Sequence, residues 1–154
     1  MYNPKVLVGN DSAGNCEDCV SPLGDLMKQR QSHDSLIKGL IDYFQTKDLE
    51  VSLANYEGYT KPFVIKRHSP DVMAVNRTNG LVHIGMVKLC SSLNEQATKE
   101  AFEDFSKRLM KGSDAEKIRV PLYIAVPNEC QSKIKEIFRQ FEIPWKDNII
   151  VLGF

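Results

Sequence analysis

The chain has 154 residues, which is about the size of one domain, with 42% hydrophobic residues, 26% charged residues and a formal net charge of zero. No apolar stretch reaches the roughly 18 residues of a transmembrane helix, and residues 1–8 are too short and too soon polar for a signal peptide. We therefore expect a cytoplasmic protein without membrane association. Zero net charge also removes the simplest argument for nucleic-acid binding, which begins with a basic chain.

Residues 1–31 are an N-terminal segment of unclear role, because glycines, prolines and short polar residues interrupt every apolar run. Cys16 and Cys19 form a single CxxC, a spacing at which two thiolates can share a metal ion or form a redox pair. The acids between them disfavour thiolates, and no second ligand pair accompanies them. We expect reduced cysteines here and at Cys90 and Cys130, with a weak metal site or a metal site completed by a partner as the alternative for the CxxC.

The first clear elements begin at Ser32. Apolar residues then recur at helical spacing, which predicts a helix over about residues 33–47, capped by Ser32 or Asp34. Alternation of apolar residues predicts a strand over residues 49–53. Residues 62–66 continue the sheet or lead into it.

Two apolar runs, residues 72–75 and 81–88, flank Asn79-Gly80 and predict a hairpin, because Asn-Gly favours a type I′ turn. A two-residue turn would pair Asp71 with Lys88, and a three-residue loop would shift the pairing by one residue. Either register leaves these two side chains within reach of each other at the open end of the hairpin.

The rest of the chain alternates helices and strands. Residues 92–95 match a capping box ahead of a helix that ends near residues 111–112. A buried strand over residues 119–126, a helix over 129–141 and a strand over 148–152 follow. This βαβαβ order favours parallel pairing with helices on both faces of the sheet. We therefore predict a single α/β domain over residues 32–154.

The order αβββαβ, with Pro70-Asp71 opening the second strand and Lys88 near the end of the third, resembles the restriction-endonuclease-like, or PD-(D/E)XK, nuclease superfamily. The resemblance covers residues 32–126, and the last helix and strand are an extension. It implies a mixed central sheet flanked by helices, with an αβββαβ core and a C-terminal αβ extension.

The resemblance also implies chemistry. Phosphodiester hydrolysis in this superfamily uses a hard divalent ion, usually Mg²⁺, held by carboxylates. Asp71 matches the metal-binding catalytic aspartate, and Lys88 matches the catalytic lysine that orients or activates the attacking water. Met86 stands where the family has Asp or Glu, and a thioether is a poor Mg²⁺ ligand.

Other acids could supply the missing carboxylate, as they do in some family members. Glu100 on the following helix is at a suitable offset but points about 130° away from the apolar face, and Asp104 is nearer that face but a turn further on. Asp34 on the first helix is a third candidate, although its position suits an N-cap.

Residues 61–90 carry five basic residues against Asp71 alone, an imbalance that suggests an anion site. Lys66 and Arg67 lead directly into Pro70-Asp71 and either contact nucleic-acid phosphates or lie in a solvated loop. His83 falls on the opposite strand face from Lys88 and is excluded from the site. Gly85 in the middle of a strand suggests a bulge or a close approach.

Two functions follow from these residues. The first is a metal-dependent nuclease that acts on nucleic acid with Mg²⁺ as its cofactor. The second is a catalytically inactive nuclease-like domain that serves as a nucleic-acid-binding or protein-interaction module, and Met86 favours it. The apolar C-terminal strand ending in Phe154 either packs in the core or forms a homodimer contact.

Overall fold

The computed structural model describes the backbone of residues 22–111 and 117–154 and the side chains of residues 32–109 and 118–154. Internal contacts divide the chain into the units Met1–Ser32 and His33–Phe154. The fold described below is that of the second unit. The CxxC of Cys16 and Cys19 lies outside the described residues.

The described chain contains helices and strands in alternation. The helices are α1 (Pro22–Thr46), α2 (Gln96–Ser106) and α3 (Ile134–Gln140), with 3₁₀ turns at Cys90–Ser92 and Asn128–Lys133. The strands are β1 (Glu50–Ala54), β2 (Val72–Val75), β3 (Val82–Val87), β4 (Leu109–Lys111), β5 (Lys117–Arg119), β6 (Leu122–Val126) and β7 (Ile149–Gly153). The predicted α/β class is confirmed. No helix in this part of the chain is both long enough and apolar enough to cross a membrane.

Five strands form one mixed sheet in the order β1-β2-β3-β6-β7. Strands β1, β2 and β3 are antiparallel neighbours, whereas β6 pairs parallel with both β3 and β7. Strands β4 and β5 form a separate antiparallel pair. The mixed central sheet expected from the sequence is therefore present.

Helices cover both faces of the sheet, because strand side chains alternate between two apolar clusters. Helix α1 packs on one face through its apolar stripe, which consists of Leu36, Ile37, Leu40, Ile41 and Phe44. Helices α2 and α3 pack on the other face against Ile84, Met86 and Ile124. Strand β6 is buried along its whole length, as expected of a strand covered on both faces.

The β2–β3 hairpin forms, but its predicted register is wrong. Val72 pairs with Gly85, and the ladder closes where Asn76 N donates to Leu81 O at 2.9 Å, which leaves a four-residue loop over residues 77–80. Gly80 has a φ of 74°, whereas Asn79 has no positive φ, so a type I′ turn does not form. Continued by one residue, this register sets Asp71 opposite Met86 rather than Lys88.

Helix boundaries also differ from the predicted ones. The capping box at residues 92–95 does not form: Ser92 ends a 3₁₀ turn, and its carbonyl accepts a hydrogen bond from Thr98 Oγ1 at 2.7 Å. Glu95 is the N-cap of α2 without a side-chain cap bond, and α2 already ends at Ser106. Residues 62–66 contribute only an isolated bridge between Ile65 and His68.

A disulfide joins Cys90 to Cys130, with 5.9 Å between their Cα atoms, so the prediction of reduced cysteines is wrong for this pair. Cys90 lies in the 3₁₀ turn after β3, and Cys130 lies in the 3₁₀ turn after β6, the parallel neighbour of β3. Because the carboxyl ends of parallel strands share one edge of the sheet, the two turns meet there although 40 residues separate the cysteines.

Candidate functional site

Asp71 ties the first three strands together where β2 begins. Its Oδ2 accepts a hydrogen bond from the backbone N–H of Val87 at 2.8 Å, and the side chain of Asn55 hydrogen-bonds to the same carboxylate. The Asp71 backbone takes part as well, since its carbonyl accepts from Asn55 N at 2.7 Å and its N–H donates to Gly85 O at 2.9 Å. One residue thus connects the end of β1, the start of β2 and the end of β3.

Opposing influences act on the Asp71 carboxyl. Burial raises its pKa above the ordinary value for an aspartate. The Val87 hydrogen bond, the electrostatic influence of His33 and Lys88 and the Asn55 hydrogen bond all lower the pKa, but burial outweighs them. The ionised form is therefore less favourable here than in water.

Lys88 lies directly after β3, where its backbone N–H donates to Ala125 O at 3.1 Å on the parallel neighbour β6. Its side chain is half-buried, and its charge acts on the Asp71 carboxyl through space. The structure therefore brings Asp71 and Lys88 to the same end of the hairpin, although the register differs from the predicted one.

Met86 is not at the site surface. Its side chain is 2% exposed and packs in the cluster that includes Phe102 and Phe105 of α2. Hydrophobic packing accounts fully for a methionine at this position.

The residues around Asp71 do not fit a magnesium centre. Among the residues that the structure describes, no three His, Cys, Asp or Glu side chains gather closely enough to hold a metal ion. The Asp71 carboxylate already accepts from Val87 and Asn55, and hard cations need several oxygen ligands. In this structure the Asp71 carboxylate accepts hydrogen bonds that join the end of β1 and the end of β3.

The acids of α2 face Arg67 instead of Asp71. Arg67 Nε lies 3.0 Å from Asp104 Oδ2, and its Nη2 lies 2.8 Å from Asp104 Oδ1, a bidentate pair. Glu100 and Glu103 lie 3.7 and 3.6 Å from the same guanidinium, and His68 Nε2 lies 2.9 Å from Glu100 Oε1. Glu100 and Asp104 therefore contact His68 and Arg67 in this structure, and neither is brought to Asp71.

This ion-pair cluster changes the acidity of its members. The guanidinium lowers the pKa of the buried Asp104, and the hydrogen bond from His68 lowers the pKa of Glu100. The Asp104 hydrogen bond raises the pKa of Arg67 in turn. The turn over residues 65–68 is consequently fixed to α2 by charge-assisted hydrogen bonds.

Lys66 and Arg67, the predicted phosphate contacts, occupy different surroundings. Lys66 has a φ of 60°, lies at the tip of the turn closed by Ile65 and His68, and is exposed. Arg67 is engaged with the acids of α2, so a phosphate would compete with Asp104 for its donors.

A pocket of about 430 Å³ adjoins Asp71 through Asn55, and the sequence analysis did not identify it. Its lining consists of Asp34, Asn55, Tyr56, Glu57, Gly58, Tyr59 and Lys61. Asp34, the first-helix acid, is exposed at this pocket. The loop after β1 was recognisable from Gly58, but nothing local in the sequence shows that it meets α1.

Comparison of the chain with protein-family models, curated proteins and solved structures finds no match. The fold by itself defines a mixed α/β protein with a five-stranded sheet. Any assignment of function must therefore rest on the topology and on the residues around Asp71.

Proposed function

We propose that this chain is a restriction-endonuclease-like domain that has lost its metal centre and binds nucleic acid without cleaving it. The topology supports the family. A helix, three antiparallel strands, a helix and a strand parallel to the third occur in the αβββαβ order, with the separate β4–β5 pair inserted before β6. The sheet order of this core is β1-β2-β3-β6. Strand β7 extends this core on the parallel side.

The surroundings of Asp71 and Met86 support the loss of the metal centre. Asp71 accepts hydrogen bonds from Val87 and Asn55, and Met86, which lies opposite Asp71, is buried in the core. A catalytic centre of this family needs a second carboxylate, and the described acids of α2 are bound to Arg67 and His68. These features support a domain that keeps the fold without the chemistry.

The competing function is a Mg²⁺-dependent nuclease in which Asp71 holds the ion and Lys88 assists the attacking water. One observation favours it, since the charge of Lys88 acts on the Asp71 carboxyl. An enzyme would need oxygen ligands beyond those gathered around Asp71.

Nucleic acid would be bound through its phosphates. Lys61 and Lys66 are exposed, and Lys88 is half-buried directly after β3. Lysines neutralise phosphates regardless of base sequence, so we expect binding that weakens steeply with salt. Arg67 contributes only if a phosphate displaces Asp104.

The test measures cleavage and binding separately. Labelled single-stranded and double-stranded DNA and RNA are incubated with the wild-type protein in Mg²⁺ or Mn²⁺, and binding is followed by fluorescence anisotropy in EDTA. We expect binding in EDTA, reduced in Lys61→Ala/Lys66→Ala and retained in the control Lys133→Ala. Absence of binding to all four nucleic acids would overturn the proposal.

Variants of Asp71 distinguish the proposed inactive domain from the competing nuclease function. We expect no cleavage by the wild-type protein and unchanged binding by Asp71→Asn, which keeps an acceptor oxygen for Val87 N. Metal-dependent cleavage that Asp71→Asn abolishes would establish the nuclease instead. Asp71→Ala should lose about 1–3 kcal/mol of stability, because it leaves the Val87 N–H without an acceptor.

A further inference from the structure

A second charged site lies near the start of β6, at the end of the parallel strands opposite to Asp71. It is a cleft of about 320 Å³ lined by Ser106, Lys107, Leu109, Arg119, Pro144 and Lys146, which we call the cationic cleft. The cleft is formed by the end of α2, the end of β5 and the segment that precedes β7.

The charge of the cationic cleft is one-sided. Three of its six lining residues, Lys107, Arg119 and Lys146, are cations, and no described carboxylate lines it. Among the other described arginines, Arg67, Arg77 and Arg139 are each paired with glutamate or aspartate, whereas the exposed Arg108 forms no ion pair in the described structure. None of the three cleft cations forms such an ion pair in the described structure. Three cations without a carboxylate partner among the described residues favour an anionic ligand.

The cleft combines one hydrogen-bonded cation with two exposed cations. Arg119 is half-buried, and its Nη1 donates to the carbonyl of the buried Ser106 at 3.3 Å. Asn148 Nδ2 donates to the same carbonyl at 3.2 Å and to Val120 O at 3.0 Å, which ties this side of the cleft to β7. One guanidinium N–H is thus used for positioning, and the others remain for a ligand. Lys107 and Lys146 are exposed, so their ammonium groups can close on it.

We propose that the cationic cleft binds a phosphate group. A guanidinium held in place offers paired N–H donors that match two phosphate oxygens, and lysines add charge without fixed geometry. The same chemistry is offered by a phosphodiester of a nucleic-acid backbone and by a free phosphate or phosphomonoester.

The cationic cleft is separate from the Asp71 site. The Asp71 carboxylate meets Val87 at the carboxyl end of β3, whereas the cleft adjoins Asn148, which accepts from Leu122 N where β6 begins. Because β3 and β6 are parallel, these are opposite edges of the sheet. Loss of one site should therefore leave the other unchanged.

The first experiment uses inorganic phosphate as the probe. Phosphate stabilises folded proteins in general by exclusion from their surface, so thermal melts in phosphate and in chloride at equal ionic strength are compared between wild type and Lys107→Ala/Lys146→Ala. The rise of the midpoint in phosphate should be larger for the wild type, because a ligand bound only by the folded state stabilises it. Titration of wild-type protein and Lys107→Ala/Lys146→Ala should show about tenfold weaker phosphate affinity in the variant. This variant keeps the Arg119–Ser106 contact, so folding should be preserved. Lys133→Ala is the matched control.

The second experiment identifies the source of the phosphate. A short DNA duplex and the corresponding single strand are titrated into wild-type protein, Lys107→Ala/Lys146→Ala and Asp71→Asn. A lower salt dependence of binding in the lysine variant, with Asp71→Asn unchanged, supports a nucleic-acid backbone as the ligand. Phosphate binding without an effect of the lysine variant on DNA binding supports a small phosphorylated molecule. If neither phosphate nor DNA distinguishes the lysine variant from wild type and Lys133→Ala, the cleft is not a phosphate site.

Discussion

Gly85 of β3 lies directly beneath Leu40 of α1. A Cβ atom added to Gly85 would come within 2.5 Å of Leu40 Cδ2 and within 3.3 Å of Phe44 Cε2. The glycine in the middle of this strand is therefore explained by the close approach of helix and sheet. Gly85 does not have a positive φ, so the requirement is for space and not for backbone freedom.

Gly85→Ala should destabilise the protein by about 1–3 kcal/mol, because the added methyl overpacks a filled core. Urea denaturation of the variant measures this change. Leu40→Val removes the atom that clashes, so Gly85→Ala/Leu40→Val should be less destabilised than the sum of the two single changes. If the destabilisation of the double variant equals the sum of the two single changes, the added methyl group does not clash with Leu40.

Met86→Glu should unfold or strongly destabilise the protein rather than create a metal site. The Met86 side chain is 2% exposed and packs against α2. An unpaired carboxylate buried there should lower the free energy of unfolding by about 3 kcal/mol or more. Met86→Leu is the control and should cost less than about 1.5 kcal/mol. A folded Met86→Glu whose melting midpoint rises with Mn²⁺ would show that this face of the hairpin can open into a cleft.

His83 should make the protein less stable in mild acid. Its Nδ1 lies 3.1 Å from the Tyr123 hydroxyl, its Nε2 is buried without a partner in the described structure, and burial lowers its pKa below 6.5. Between the lowered folded value and about 6.5 the unfolded state binds more protons, so stability rises with pH through this window and falls on acidification.

The measurement is the free energy of unfolding at several pH values between about 7.5 and 5. His83→Gln should reduce the slope below about pH 6.5, because glutamine does not titrate. An identical slope in the variant and the wild type would assign the acid sensitivity to other groups.

Reduction of the Cys90–Cys130 disulfide should lower stability by about 4 kcal/mol on the chain-entropy account of a loop of this length. Melts with and without dithiothreitol measure the loss. The variant Cys90→Ser/Cys130→Ser should melt at the lower midpoint and should not respond to the reductant. A wild-type midpoint that dithiothreitol leaves unchanged would contradict a bridge in solution.

Local patterns predict much of the fold. The apolar stripe of α1 and the continuous apolar run of β6 are visible in the sequence, because each reflects the periodicity of a single element. The hairpin was also recognisable. Its register was not, because the register follows the length of the loop, and the loop that forms has four residues instead of the two of a type I′ turn.

The site was predictable only in part. Asp71 and Lys88 come together because both lie at the open end of the hairpin, whichever register forms. Their partners come from elsewhere in the chain: Asn55 follows a different strand, and Arg67 meets Asp104 across 37 residues. Contacts between residues far apart in the sequence leave no periodic signal. Neither the hydrogen bonds of Asp71 with Asn55 and Val87 nor the ion pair of Arg67 with Asp104 could therefore be predicted.

The four-residue loop of the β2–β3 hairpin offers a position for a reporter. The ladder is already closed by Asn76 and Leu81, and residues 77–80 are exposed. Exposed loop tips tolerate insertions best, so an epitope inserted after Thr78 should leave the sheet intact. Because Asp71 lies at the other end of the hairpin, such a label would follow the protein without covering that end.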